Sequence, residues 1–319
     1  MSLLKEQFKK QGGFKLLNEY LRAGVLPYAF SQFLLTGSSQ KSLEILRLGI
    51  QKKIHDRLRK KYIRILKQFD TDSRNLKQFS VSSNKVWLCW MQGLENAPAL
   101  VQKCYDSIKA NLPDREVFLI TEQNRRDYIA IPDYIEEKYQ KGIITHTHFS
   151  DLLRVALLCE YGGTWIDSTV FCSGSNIPKY FFDSPFFVFQ NLKPGANGSV
   201  LNLSSWFMSS WSNQIIVLAV RELLWEYWKR NTHLIDYFLL HHFIMIVAEY
   251  YADEWKKIVQ YPNSFPHVLL LMLFEPFNKE KWESITSACP FHKLTYKRRE
   301  ENMVSKGTYY EYIMNNGKI

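Results

Sequence analysis

Three polar side chains stand out in an otherwise apolar stretch: Asp151, Arg154 and Asp167. They belong to the run His148-Phe149-Ser150-Asp151-Leu152-Leu153-Arg154, which continues to Tyr161-Gly162-Gly163-Thr164-Trp165-Ile166-Asp167-Ser168-Thr169. Asp151 and Arg154 are three apart, so on a helix they share a face. Asp167 follows a short apolar segment and falls at its end. A carboxylate at a strand end commonly holds a divalent cation, because Mg²⁺ and Mn²⁺ prefer oxygen ligands and share them with phosphates. A single acid is a weak metal site, so a second ligand has to come from elsewhere. His292 is one candidate, since imidazole is a tolerable Mn²⁺ ligand, although an ordinary hydrogen-bonded histidine is the commoner reading. A surface ion pair plus an acidic turn would use the same residue types as the 151–167 run.

The elements that position these groups can be read from periodicity. Leu152, Leu153, Ala156, Leu157 and Leu158 form the apolar side of a helix. Gly162-Gly163 ends it where a positive φ is needed, and Thr164, Trp165 and Ile166 have strand propensity. Upstream, Lys85–Trp90 and Glu116–Thr121 read as strands. Helices are expected from Asn96-Ala97-Pro98 to about Leu112 and over Pro132–Lys141. Alternating strands and helices predict an α/β fold, a mainly parallel sheet flanked by helices, with ligands beyond the C-terminal strand ends. That rule puts Trp90 to Gly93, Thr121-Glu122 and Asp167 on one rim. Further strands are expected at 185–190 and 204–209, and helices at about 214–230 and 233–251. The second of these carries His241-His242, which cannot both point the same way.

The net charge of +10 is unevenly placed. Residues 1–69 hold 15 Lys or Arg and 4 Asp or Glu, a balance of +11, so the other 250 residues sum to −1. The basic segment reads as helical, with a long helix at about 40–68. Leu43, Ile50, Ile54, Leu58 and Tyr62 are among its apolar positions, and lysines and arginines crowd its other faces. Such a helix suits an anionic membrane surface or a partner, or packs on its own domain with a solvated face. It matches no nucleic-acid module. Residues 70–84 are polar and read as a linker, giving a division into 1–69, 70–84 and 85–319. Five cysteines without a C-x-x-C spacing suggest a reducing compartment. No signal peptide or bilayer-length apolar stretch is expected, which points to the cytoplasm.

The pattern His148-x-Ser150-Asp151-x-x-Arg154 followed by Tyr161-Gly162-Gly163-x-Trp165-x-Asp167 resembles the signature of glycosyltransferases with a DxD-type sugar-binding motif (glycosyltransferase family 32-like). Within that group it is most similar to bacterial capsular polysaccharide synthesis proteins. Trp90-Met91-Gln92-Gly93-x-x-Asn96-Ala97-Pro98, Ser204-Ser205-Trp206-Phe207, Asp236 to His242 and His292-Lys293-Leu294-Thr295-Tyr296 carry the likeness along residues 85–312. It implies a GT-A-like fold, a nucleotide-sugar donor, Mn²⁺ or Mg²⁺, and transfer with retention. It also implies an oligo- or polysaccharide acceptor, lipid-linked, at the inner face of the plasma membrane. Carried over by position, Asp151, Arg154 and Asp167 are the catalytic set. Trp90, Gln92 and Gly163 join them in binding the donor, and Asp167 holds the metal with His292. Trp206, His241 and His242 belong to the acceptor side. The sequence departs from Asp-x-Asp, having Asp167-Ser168-Thr169, so Thr169 would reach a metal through water. That departure leaves a competing expectation: a non-catalytic carbohydrate-binding or scaffolding subunit of an assembly complex.

Overall fold

The protein is described from a computed structural model, over residues 13–74, 80–193, 199–297 and 306–317. The sheet follows from the strands expected above. β1 (Lys85–Cys89) pairs in parallel with β2 (Glu116–Ile120) and β3 (Gly163–Ile166). β6 (Leu203–Ser210) runs against β3, and β5 (Phe186–Gln190) runs against β6. The order is β2-β1-β3-β6-β5. Because β5 opposes the one reversed strand, it aligns with β1, β2 and β3. The sheet is therefore parallel in four of its five strands, and the expected α/β architecture is observed. A second, two-stranded sheet joins β4 (Val170–Cys172) to β7 (Phe291–Lys293) in antiparallel register.

Helices cover the sheet. α1 (Gly13–Ala23), α2 (Leu26–Thr36) and α3 (Gln40–Arg74) come first, then α4 (Ala99–Asn111), α5 (Asp133–Gln140) and α6 (His146–Tyr161). α7 (Ile215–Arg230), α8 (Leu239–Tyr250) and α9 (Lys279–Ala288) follow β6, with shorter helical turns between them. α8 starts six residues later than the sequence suggested. The Tyr227 hydroxyl donates to the His233 carbonyl and accepts from the Ile235 amide, and this holds the intervening chain in a turn.

α3 runs on to Arg74, past the start of the expected linker; residues 75–79 of that linker lie outside the described ones. At 1.5 Å per residue its 35 residues span about 50 Å. Ile50, Ile54, Leu58, Tyr62 and Leu66 recur every four residues and are all buried. They share one core with Trp87, Phe149, Trp165 and the inner faces of α7 and α8. Each such side chain contributes about 1.5–3 kcal/mol by leaving water. The basic helix is thus part of the main core, and its lysines and arginines form the outer face: Lys52, Lys53, Arg59, Lys60, Lys61, Arg64 and Lys67 are exposed.

Candidate active site

α6 supplies one wall of the site. The Thr145 hydroxyl caps its first turn by accepting from the His148 amide, which satisfies one of the free donors at the helix start. Eleven of its residues are buried, from His148 to Cys159, so this is a core helix whose few polar groups are enclosed. Gly162 ends it at φ +65°, and Gly163 opens β3 at φ +92°. A Cβ on Gly163 would lie 2.3 Å from the Lys85 carbonyl oxygen on β1. Glycine there allows β3 to approach β1 closely, and that approach fixes where β3 ends.

Asp167 stands at that end. Its amide donates to the Trp206 carbonyl and its own carbonyl accepts from the Val170 amide, closing a tight turn into β4. The carboxylate is fully engaged. Oδ1 accepts from Arg154 at 3.0 Å and from the Trp165 indole at 3.0 Å. Oδ2 accepts from the Lys293 ammonium at 2.7 Å. Lys293 donates as well to the Thr169 hydroxyl at 2.8 Å. Burial pushes the Asp167 carboxyl up, but the charges of Lys293 and Arg154 and the bonds from Lys293 and Trp165 outweigh it and hold it below the usual carboxylate range.

Arg154 lies beneath this group. Its side chain is 4% exposed, and its guanidinium lies over the Trp165 ring at 4.8 Å. It donates to the Ser205 carbonyl at 2.5 Å and faces Asp151 Oδ1 at 3.3 Å. His148 accepts from the Trp228 indole at 2.9 Å, so its other ring nitrogen faces Asp151 Oδ2, 3.5 Å away. The result is a cluster of two carboxylates and two cations, Asp151, Asp167, Arg154 and Lys293, drawn from α6, the β3 end and β7.

The other expected positions divide clearly. Trp90 follows β1, and its ring meets Tyr296 edge-to-face at 5.7 Å. The buried Trp90 indole nitrogen has no hydrogen-bond partner among the described residues. Gln92 is exposed on the same loop, where its carbonyl accepts from Asn96. His241 is brought to the site: burial pulls it down to about 4, and it feels Asp151, Arg154 and Asp167. The neighbouring Tyr237 is 64% exposed overall; partial burial of its hydroxyl end and the same two carboxylates raise it. His242 points the other way. It is fully buried against His55 of α3, and burial with the neighbouring histidines pulls it down to about 3. Trp206 is not brought to the surface either. It stacks on Phe189 at 4.5 Å, donates to Asn263 and belongs to the second core cluster.

His292 is not brought to Asp167. Its Nε2 lies 2.9 Å from the Ser173 hydroxyl, its ring lies near Phe171, and it is fully buried; burial pulls it down to about 3. Successive residues of a strand face opposite ways, so β7 turns His292 into the core and Lys293 toward Asp167. Lys293 is the site residue that motif reading passed over. The available signal was this alternation: within His292-Lys293 only one side chain can face the β3 end. The groups present do not fit a divalent ion as arranged. Both Asp167 oxygens and the Thr169 hydroxyl are bonded to cations or donors, and His292 faces elsewhere. No group of three or more His, Cys, Asp or Glu is gathered for a metal among the described residues.

No curated protein matches the chain. Among solved structures it is similar to one described as "PaToxG Glycosyltransferase", at 14% identity and a TM-score of 0.35, over 73% of this chain and 94% of that one. The family model described as capsular polysaccharide synthesis protein matches residues 34–313. That span takes in α6, the end of β3 and Lys293, and the chain belongs to the capsular polysaccharide synthesis protein family.

Proposed function

We propose that this protein is a glycosyltransferase. It moves a sugar from a nucleotide-sugar donor to a growing, lipid-linked capsular or surface polysaccharide, with retention at the anomeric carbon. The observation that carries the reading is the Asp167 cluster itself: a carboxylate at a parallel strand end, tied to two cations, in a chain of the capsule-synthesis family. Breaking a sugar–phosphate bond builds negative charge on the departing diphosphate, and preorganised cations at that point lower the barrier. Trp90, Gln92 and Tyr296 border the place for the nucleoside. Asp151, whose charge reaches His241, is assigned to the side where the sugar and its acceptor would meet.

The N-terminal helices support work at a membrane surface. Phe30, Leu34 and Leu35 of α2 are 63%, 67% and 80% exposed, and α2 meets α3 where Lys53 lies over the Tyr28 ring. The same segment adjoins the acceptor side: Asp236 feels Glu19 and Arg47, and its neighbour Tyr237 feels Asp151 and Asp167. Among the described residues no helix is long and apolar enough to cross a membrane; the attachment we propose is peripheral, on the inner face of the plasma membrane.

A panel of nucleotide-sugars tests the assignment. One donor should be hydrolysed slowly by the wild type and transferred to an oligosaccharide acceptor, and Asp167→Ala should abolish both while the protein still folds. Near wild-type turnover by Asp167→Ala would sink the assignment. NMR of the product's anomeric configuration checks retention. The full engagement of the Asp167 carboxylate favours one second reading, a carbohydrate-binding or scaffolding subunit. It predicts no thermal stabilisation by any donor.

A further inference from the structure

The cation expected beside Asp167 is one that the chain already supplies. We propose that Lys293 stands in for a divalent ion: its ammonium bridges Asp167 and Thr169, meets the donor's diphosphate there, and makes donor binding independent of metal. The proposal rests on the donor reading given above.

The geometry is that of a bridge. The ammonium is 2.7 Å from Asp167 Oδ2 and 2.8 Å from the Thr169 hydroxyl, the two ends of the Asp-Ser-Thr step. Its position is set by backbone pairing. Lys293 opposes Val170 in the β4–β7 register, and the next amide, that of Leu294, donates to the Thr169 carbonyl at 2.9 Å. An ammonium has three N–H donors, and among the described residues two are used. The third is left for an incoming anion.

Its partners are suited to this role. With a second carboxylate in place of Thr169, the ammonium would be neutralised from both sides. A neutral hydroxyl leaves more of its charge for a phosphate. Arg154 serves the ligand less directly: its terminal nitrogens face Asp167, Asp151 and Ser205 in the core, and its Nε, unpartnered among the described residues, is itself buried. Of the two cations Lys293 is the more open, 22% exposed against 4%. The cluster is formally neutral as it stands, and a divalent ion at Asp167 would have to displace the ammonium or sit beside it. A lysine is a compact point charge that binds phosphate without a fixed fork geometry.

In the transfer step the bond from the sugar's anomeric carbon to the phosphate oxygen breaks, and its electron pair stays on the departing diphosphate. The bond from that carbon to the acceptor's oxygen forms, and the acceptor's hydroxyl proton goes to the departing phosphate oxygen. Lys293 donates a hydrogen bond to that diphosphate throughout and keeps its own protons.

Calorimetric titration of the full chain with UDP, GDP and ADP, in EDTA and in MnCl₂, tests this. One nucleotide should bind in EDTA with an affinity within about twofold of that in MnCl₂. Lys293→Ala should weaken binding in EDTA about ten- to a hundredfold, the loss of one charge-assisted contact. Electron paramagnetic resonance of Mn²⁺ gives a second readout. The wild type should leave the free-ion signal unchanged, and the Lys293→Ala, Thr169→Asp double variant should quench it. Nucleotide binding that needs Mn²⁺ in the wild type, or quenching by the wild type, overturns the proposal. The wild-type comparison needs no substitution, so a folding defect in a variant leaves the test intact. Failure of the donor reading looks different: no nucleotide binds in either buffer, and this proposal falls with it.

Discussion

Arg154→Met separates a residue that holds the site together from one that only grips the donor. Methionine keeps an apolar stem against Trp165 and removes the guanidinium. The Ser205 carbonyl, Asp167 Oδ1 and Asp151 Oδ1 then lose the donor they now face at 2.5, 3.0 and 3.3 Å. Removing one partner of a buried ion pair costs about 3–5 kcal/mol, because the other charge is left unpaired. Asp167 keeps Lys293 and is 27% exposed, so the lower end, about 3 kcal/mol, is the expected loss. For a chain of this length that corresponds to a fall of about 4–5 °C in Tm. Calorimetric melting and urea unfolding of both proteins measure it, and adding Asp167→Asn to each closes a double-mutant cycle whose coupling should reach about 1.5–3 kcal/mol. An arginine that faces solvent and serves only the donor would lose activity with stability within about 0.5 kcal/mol of the wild type, and that result would refute the buried-clamp account.

Three further outcomes are expected. Asp167 is held below its usual range, and a carboxyl shifted in that direction contributes stability that is present above the unfolded value of about 3.9 and is lost as pH falls through the folded one. Stability measured from pH ~5 downward should therefore fall less steeply for Asp167→Asn than for the wild type; parallel curves would contradict the shift. His241→Ala should lower transfer with little change in melting, whereas the fully buried His242→Ala should cost about 1–3 kcal/mol of stability; the reverse pattern would exchange their roles. Leu34→Asp with Leu35→Asp should cut flotation with anionic vesicles about a hundredfold or more, since each buried leucine is worth about 1.5–3 kcal/mol; unchanged flotation removes α2 from the membrane contact.

Local signals carried much of the fold and about half of the site. α6, its double glycine and β3 were legible because capping, helical period and strand propensity all act within a few residues. The parallel sheet and the placing of Asp167 on its rim followed from element order alone. Asp151 and Arg154 were legible as a pair on one helix face, but the tie from Arg154 to Asp167 and its depth were not: whether a guanidinium is enclosed depends on Trp165 and Ser205 closing around it. Trp206 had the composition of a sugar platform, and only the β5–β6 register puts its ring on Phe189 inside the core. β7 was missed because three residues carry too little periodicity to be seen, and their partner is more than a hundred residues away. His292 drew attention as a metal-type residue; the strand turned its neighbour to the site instead.

That last strand also sets when the site exists. Lys293 meets Asp167 across 126 positions of sequence, and closing so long a loop comes late in folding because its entropy cost precedes any contact it allows. On the ribosome, α6 and the β3 end emerge long before β7. Until β7 docks on β4, Asp167 has Arg154 beside it and no ammonium to bridge it to Thr169. A nascent or C-terminally clipped chain would hold its carboxylates in an incomplete site, so the diphosphate site proposed above would form only after β7 has been made.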